Sequence, residues 1–378
     1  MLKVEPPGGD SMRTLSAPAY AADNVGKHSV VLDLKDEEGL QGLHAILSTA
    51  DVFISNFRTQ ALERLGMAPG QLAPRYPRLV IATLTAYGTD GPDKDRPGYD
   101  LAAFYARSGM AMAYVPEGGM PQENAGPGVG DHSTGTAFAG AVAAALFKRE
   151  RHPEKLGGTV STSLLRFGVY AHSGDTNRHL SALATGTPVA RPPEPMPDGQ
   201  GIYSGNPLSR PYRVAEGGVV VLLGMESQRH MPAIFTALGH PEWMEDERFN
   251  TLMARYQNRH VLTGLMAEIL LGKTLEEWEP IFAEHDVWHE KVQRTVTAVE
   301  DPQLIAAGCF TPIPAHPDAP ADEPAMQVVN TAFDFDDRLT TVGGPTAALG
   351  EHTAEALASA GVEPAAIDRL VAAGASKL

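Results

Sequence analysis

A single cysteine, Cys309, stands among 378 residues. No intrachain disulfide can form, and a lone thiol makes no zinc site; the expected setting is a reducing cytoplasm. Long apolar runs are missing too. The longest candidate, around Thr136–Phe147, is alanine-rich and falls short of the roughly 18 residues a spanning helix needs, so no membrane partner is expected. Met1–Asp10 is charged and turn-rich and does not read as a signal peptide. Cations are outnumbered, 30 Lys and Arg against 46 Asp and Glu, for a formal charge of −16. That argues against nucleic acid and anionic lipid as partners, since both call for clustered Lys and Arg. An anionic ligand would need a local basic pocket. Internal repeats and low-complexity tracts are absent.

The chain is too long for one typical core, so two domains are expected. Its 38 glycines and 30 prolines exceed ordinary usage and imply many shaped loops. Ser29–Leu34 reads as a buried strand, Glu37–Thr49 as a helix with Leu40, Leu43, Ile46 and Leu47 on one face, and Asp51–Ser55 as a second strand. Such a βαβ unit demands a parallel sheet. Thr59–Leu65 is a short helix stopped by Gly66, Arg78–Leu84 a further strand, Leu101–Ala113 and Thr136–Arg149 helices, and Thr159–Leu165 a strand. Pro188–Pro211 is a proline-rich linker. Gly218–Leu223 (strand), Asn258–Leu271 (amphipathic helix) and the capping box Thr274–Glu277 build a smaller α+β domain. Pro312–Pro324 reads as a return linker, and Thr353–Ala360 and Pro364–Ala373 as two short helices.

The most informative stretch is Gly130-Asp131-His132-Ser133-Thr134-Gly135, directly ahead of the alanine-rich helix. A carboxylate in a glycine-walled turn at a helix N-terminus meets unpaired amides and a partial positive charge. These keep it ionised and give an oxyanion somewhere to sit. The alternative is an Asp that merely caps the helix. Gly126-Pro127-Gly128-Val129-Gly130 has the glycine density of a phosphate cradle but lacks the Lys-Ser/Thr of a P-loop. Ser133 is no hydrolase elbow, because Asp131 stands where that motif needs Gly. His285 and His289 have zinc-like spacing without a third ligand and read as a solvated helix face. Asp36, Glu37 and Glu38 read as first-turn acids complementing a helix dipole. Asn56-Phe57-Arg58, at the end of the second strand, and Arg64, one helix later, lie where open parallel sheets bind ligands. Two cations and an Asn there suit a phosphate-bearing group; the alternative is ordinary surface arginine. His172, Asp175 and Arg178 follow the last of these strands, with functional and structural roles equally open.

Several blocks, in order, resemble the class III CoA-transferases: Lys3-Val4-Glu5-Pro6-Pro7-Gly8-Gly9-Asp10, Asn24 with Lys27-His28-Ser29, Leu32-Asp33-Leu34-Lys35, Asn56-Phe57-Arg58, Arg64-Leu65-Gly66, Gly98-Tyr99-Asp100, Gly130-Asp131, Asn206-Pro207-Leu208, Asp301-Pro302-Gln303 and Leu349–Thr353. The resemblance implies an α/β fold: a Rossmann-like parallel-sheet large domain plus a smaller α+β domain, in a homodimer of interlocked rings. Residues 1–187 and 325–378 would form the large CoA-binding domain, 213–300 the small one, with linkers at 188–212 and 301–324. The family begins one βα unit ahead of the Lys3 block, so that unit is expected to be missing. Its glycine-rich active-site loop has Gly199-Gln200-Gly201 as nearest counterpart.

By the same resemblance Asp131 is the nucleophile. It attacks an acyl-CoA thioester to give a mixed anhydride, which keeps the acyl-transfer potential that a serine ester would lose. CoA thiolate then attacks the aspartyl carbonyl, and the acceptor carboxylate attacks the resulting aspartyl-CoA thioester. Gly130, His132, Tyr99 and Asp100 would flank Asp131. Asn24, Lys27, Leu32, Asn56, Phe57, Arg58, Arg64 and Arg96 would contact CoA, which acts as substrate. No tightly bound cofactor and no metal are expected. The α-methylacyl-CoA racemases of the same superfamily carry a His where Tyr99 stands. Racemisation needs two proton-transfer groups, and His132 would have to supply one, which makes a racemase the second reading. The third is a catalytically silent CoA-binding dimer.

Overall fold

A computed structural model describes residues 1–113, 115, 119–121, 126, 128–187, 194–195, 202–203, 205–317, 326–336 and 344–375. The chain divides into two units: Met1–Ala113, Met120–Val189 and Pro302–Leu378 form one, Tyr114–Gly119 and Ala190–Asp301 the other. The first opens with β1 (Leu2–Glu5), α1 (Met12–Leu15), α2 (Ala17–Asn24), β2 (His28–Val31), α3 (Glu37–Thr49) and β3 (Val52–Ser55). It continues through α4 (Thr59–Arg64), α5 (Pro69–Arg75), β4 (Val80–Thr85), α6 (Val129–Arg151), β5 (Gly158–Ser163), α7 (Leu164–Ala171) and α8 (Ser173–Thr185). The second unit holds a two-residue pair, β6 (Glu194–Pro195) with β7 (Ile202–Tyr203). Then come β8 (Pro211–Arg213), β9 (Val219–Leu222), α9 (Ser227–Ala237), α10 (Leu252–Gln257), α11 (Arg259–Leu270), α12 (Leu275–Glu284), β10 (His289–Lys291) and α13 (Thr295–Ala298). The chain returns with α14 (Pro302–Ala306), β11 (Phe310–Pro312), β12 (Gln327–Val329), α15 (Thr353–Ser359) and α16 (Pro364–Ala375).

In the first unit β1 pairs parallel with β2, and β4 lies between β3 and β5 in a second parallel sheet. Val80, Ile81 and Ala82 are wholly buried, the continuous apolar run that a sheet covered on both faces requires. The expected βαβ unit is corrected in one respect: the strands flanking α3 belong to different ladders. The free edge of β2 is taken by the C-terminal segment instead. His352 donates its amide to the Ser29 carbonyl (2.9 Å), and the Val31 amide donates to Thr353 Oγ1 (3.0 Å). Helix α3 spans the expected residues, and Glu37 and Glu38 are first-turn acids as expected; Asp36 instead caps the helix, its carboxylate accepting from the amides of Glu38 and Gly39. It packs with Leu357, Ile367 and Leu370 into one core that includes Leu32, Leu43, Ile46 and Ile81.

Three further expectations change. Leu101–Ala113 is two short turns, Leu101–Ala106 and Met110–Met112, interrupted where Gly109 takes φ +96°. Pro312 ends a strand rather than opening a linker. His285 terminates α12 while His289 sits in β10 against the Phe282 ring, so they share no helix face. The Pro188–Pro211 linker lies mostly outside the described residues, as do Gly199-Gln200-Gly201 and residues 318–325 of the return linker. In the second unit the predicted capping box forms between Thr274 and Glu277, and Phe235, Phe249, Leu262, Met266, Trp278 and Phe282 fill the core. No helix among the described residues is long and apolar enough to cross a membrane.

Glu5 ties the first unit together. It is 2% exposed, and its carboxylate takes two bonds from Arg13 (2.7 and 2.9 Å), one from Ser29 Oγ (2.7 Å) and one from the Asp10 amide (3.1 Å). Burial pushes its pKa up, but the Arg13, Ser29 and Asp10 bonds outweigh it, so the net direction is down. Its stabilisation is therefore complete above the ordinary glutamate value and drains as pH falls through the depressed native value. We expect Glu5→Gln, which strands the Arg13 charge, to cost about 3 kcal/mol at pH 7. In urea unfolding the gap to the wild type should narrow below about pH 4.

Candidate active site

The site is assembled around Asp100, at the end of the Gly98-Tyr99-Asp100 segment. Its carboxylate is 7% exposed. Oδ1 accepts from the Leu101 amide (2.7 Å), and Oδ2 accepts from the amides of Gly128 (3.1 Å) and Gly130 (3.3 Å). Gly128 stands at the helix entry with φ +81°, a left-handed conformation that suits glycine. A Cβ on Gly130 would lie 2.7 Å from the Asp100 Cβ and 2.7 Å from the Phe104 Cγ, so only glycine allows this approach. Thus α6 begins at Val129, seven residues ahead of the expected start at Thr136, because a carboxylate far away in sequence caps it.

Asp131 therefore lies within the first turn of α6 and not in a loop before it. It does not cap the helix; Asp100 does. Its own carboxylate is exposed. Partial desolvation, then the neighbouring charges of Asp100 and Asp23, push its pKa above the ordinary aspartate value, with His132 pulling the other way. Lost hydration and two like charges therefore act against the anion that the helix start was expected to favour. Of the backbone amides of the glycine-rich turn and helix start, expected to serve an oxyanion, those of Gly128 and Gly130 are already engaged by Asp100. Ser133 Oγ donates to the Val129 carbonyl (2.7 Å), which fits no nucleophilic role.

His132 Nε2 sits 3.1 Å from Asp23 Oδ1. This pairing ties the end of α2 to the start of α6, and nothing in the sequence spacing signals it. Next to Asp23, Asn24 lines a shallow surface recess with Lys3, Arg13, Tyr20, Lys27 and His28. Asn24 is 6% exposed; its Nδ2 donates to the Tyr20 carbonyl, while its Oδ1 is buried without a partner. Burial, then the neighbouring Lys3 charge, lower the Lys27 pKa. Tyr99 is 83% exposed. Asn56, Phe57 and Arg58 are exposed beyond the carboxyl end of β3, and Arg64 is exposed in the last turn of α4. Arg96 is exposed and lies over the Tyr87 ring (5.7 Å). Leu32 is different: its side chain is 2% exposed within the core, so it reaches no ligand. His172 Nδ1 bonds the Gly168 carbonyl, and Asp175 pairs with Arg178 within α8.

The chain is thus an α/β protein with parallel sheets and an exposed aspartate in the first turn of α6. The model of CoA-transferase family III matches residues 1–353, and the chain belongs to that family. It is 28% identical over 375 residues to (R)-2-hydroxy-4-methylpentanoate CoA-transferase of Clostridioides difficile, covering 96% of this chain and 89% of that protein. It is 30% identical over 324 residues to cinnamoyl-CoA:phenyllactate CoA-transferase of Clostridium sporogenes, covering 81% and 74%. The crystal structure of Rv3272 from Mycobacterium tuberculosis (orthorhombic form) superposes with a TM-score of 0.79 at 27% identity, covering 94% of this chain and 90% of that one.

We expect Asp100→Asn to lower the Asp131 pKa by removing the nearest like charge, and to destabilise the protein by about 1–3 kcal/mol because an amide cannot satisfy all three backbone donors. Carboxyl carbon NMR titration, with Asp131→Asn to assign the signal, reads the first effect, and thermal melting reads the second.

Proposed function

We propose that this chain moves CoA from an acyl-CoA donor to a carboxylic acid acceptor, with Asp131 carrying first the acyl group and then CoA. The observation that carries the reading is the crowding of an exposed carboxylate by Asp100 and Asp23. Attack on a thioester carbonyl turns the Asp131 anion into a neutral anhydride, and the charge leaves with the CoA thiolate. Desolvation and then like-charge repulsion raise the Asp131 pKa, and both are relieved in that step, so the same surroundings favour bond formation. CoA thiolate next attacks the aspartyl carbonyl and expels the acyl carboxylate, leaving an aspartyl-CoA thioester. The acceptor carboxylate attacks that thioester and forms a new anhydride with Asp131. Returning CoA thiolate cleaves it at the acceptor carbonyl, which regenerates the Asp131 carboxylate.

The chain's acidic surface makes local cations decisive for binding the CoA phosphates. Lys27, beside Lys3 in the Asn24 recess, has its pKa lowered by burial and then by the Lys3 charge, and an arriving anion offsets both. Asn56, Phe57, Arg58 and Arg64 supply a second exposed surface at the carboxyl end of the parallel strands, and Arg96 adds a further exposed cation. Tyr99, exposed beside the buried Asp100, faces the acyl or acceptor group. Two of the relatives above are CoA-transferases named for 2-hydroxy acids, (R)-2-hydroxy-4-methylpentanoate and phenyllactate, and this acceptor class heads the series to be assayed.

A homodimer fits the same surface. Helix α6 is alanine-rich, yet Ala137, Ala139, Ala141, Ala143, Ala144 and Phe147 are exposed, and Tyr170, Leu180 and Leu183 of α7 and α8 are exposed too. A helix apolar on most sides is stable when covered, and a second copy interlocked with the first would cover it. In this arrangement residues 1–187 and 325–378 act as the CoA-binding domain and 213–300 as the smaller one.

With 2-hydroxy acids, dicarboxylates and oxalate as acceptors and acetyl-CoA or succinyl-CoA as donor, chromatography should detect CoA transfer. Asp131→Ala should lower kcat by at least about a thousandfold while leaving melting and mass in solution unchanged. A racemase would instead exchange the α-proton of a 2-methylacyl-CoA in deuterated water with no acceptor present. A silent CoA-binding dimer would show neither reaction. Either result overturns the proposal.

A further inference from the structure

The edge of β2 and the start of α15 bring together His28, His352 and Glu355, with one donor atom of each within 4.8 Å of the other two. It is the one such group among the described residues. These side chains come from opposite ends of the sequence, but their backbones are locked to each other. The His352 amide donates to the Ser29 carbonyl (2.9 Å), the Gly350 amide to Ser29 Oγ (2.9 Å) and the Val31 amide to Thr353 Oγ1 (3.0 Å). The fold itself therefore delivers the donors to one place.

The imidazoles of His28 and His352 lie face to face, 4.2 Å between centroids and 14° apart. Nδ1 of His352 is buried and has no hydrogen-bond partner, an expensive state for a polar atom. On its other side, Nε2 stands 3.9 Å from Glu351 Oε1, and Glu351 Oε2 lies 3.1 Å from His316. One ring nitrogen left over within a His/Glu cluster, with a carboxylate behind the other, is the arrangement of a metal-ligating histidine with its outer partner.

We propose that His28, His352 and Glu355 form a binding site for a first-row divalent transition ion, with Glu351 orienting His352 from behind. Two imidazoles and a carboxylate suit Zn²⁺ and its neighbours, whereas Ca²⁺ and Mg²⁺ prefer oxygen ligands throughout. Glu351 and Glu355 bring two carboxylates to the two rings, a donor set that suits a dication. Bonds of about 2.1 Å in a tetrahedral set need donors roughly 3.5 Å apart. Binding therefore draws the widest pair together by about an ångström and tilts the rings out of parallel. The exposure of His28 and Glu355 leaves the remaining position to water. A bound ion would staple β2 to α15. Because His28 also lines the recess with Lys3 and Lys27, it would add positive charge at that rim.

The test is calorimetric titration of ZnCl₂ into the chelator-stripped full chain, with melting curves alongside. The expected result is one saturable ion per chain and a Tm that rises with Zn²⁺. His28→Ala and Glu355→Gln should each weaken binding at least tenfold without changing the metal-free Tm or circular dichroism. Glu351→Gln should weaken it about tenfold. His285→Ala, in the second unit, should leave it unchanged. The absence of saturable binding overturns the proposal, as does equal affinity in the wild type, His28→Ala and Glu355→Gln.

Discussion

Everything at the candidate site depends on one buried carboxylate reaching across the fold to a helix it does not belong to. Asp100 Oδ2 holds the amides of Gly128 and Gly130, and this grip fixes where α6 begins. It places Asp131 in the first turn with its own carboxylate uncommitted. The contact demands glycine at position 130, because any side chain would strike Asp100 and Phe104. The same proximity sets the electrostatics. An acid close enough to cap the helix is also close enough to oppose ionisation of Asp131, so structural support and chemical poise have a single source.

A second constraint joins the ends of the chain. Glu5 collects Arg13, Ser29 and the Asp10 amide, and Arg13 goes on to the Ala347 carbonyl. The C-terminal segment closes the free edge of β2, which leaves no open ladder there. The Asn24–Lys27 recess sits on this framework, and the Asp23–His132 pair connects it to the start of α6. The Lys27 recess and Asp131 are thus carried by elements bonded directly to one another.

Local signals made much of this legible. The strands around Val30, Ile54 and Ile81, the span of α3, the capping box at Thr274 and the α/β class all follow from periodicity and turn chemistry. Asp131 stood out for its glycines. What the sequence concealed was every contact of long range. The C-terminal segment displaces β3 from the edge of β2, Asp100 rather than a local residue starts α6, and Asp23 meets His132 across more than a hundred positions. Leu32 shows the opposite hazard. It lies in a block that carries the family resemblance, yet it follows a continuously buried stretch of β2 into the core, where it packs with Leu43, Ile46 and Leu357.

The central claim is that Asp131 becomes covalently loaded during turnover. Its most direct measurement is peptide mass spectrometry after acid quench of the enzyme with an accepted acyl-CoA. The account predicts an acyl or CoA adduct on the peptide containing Asp131 and on no other. Turnover with that peptide unmodified, or with the adduct on a different side chain, would contradict it.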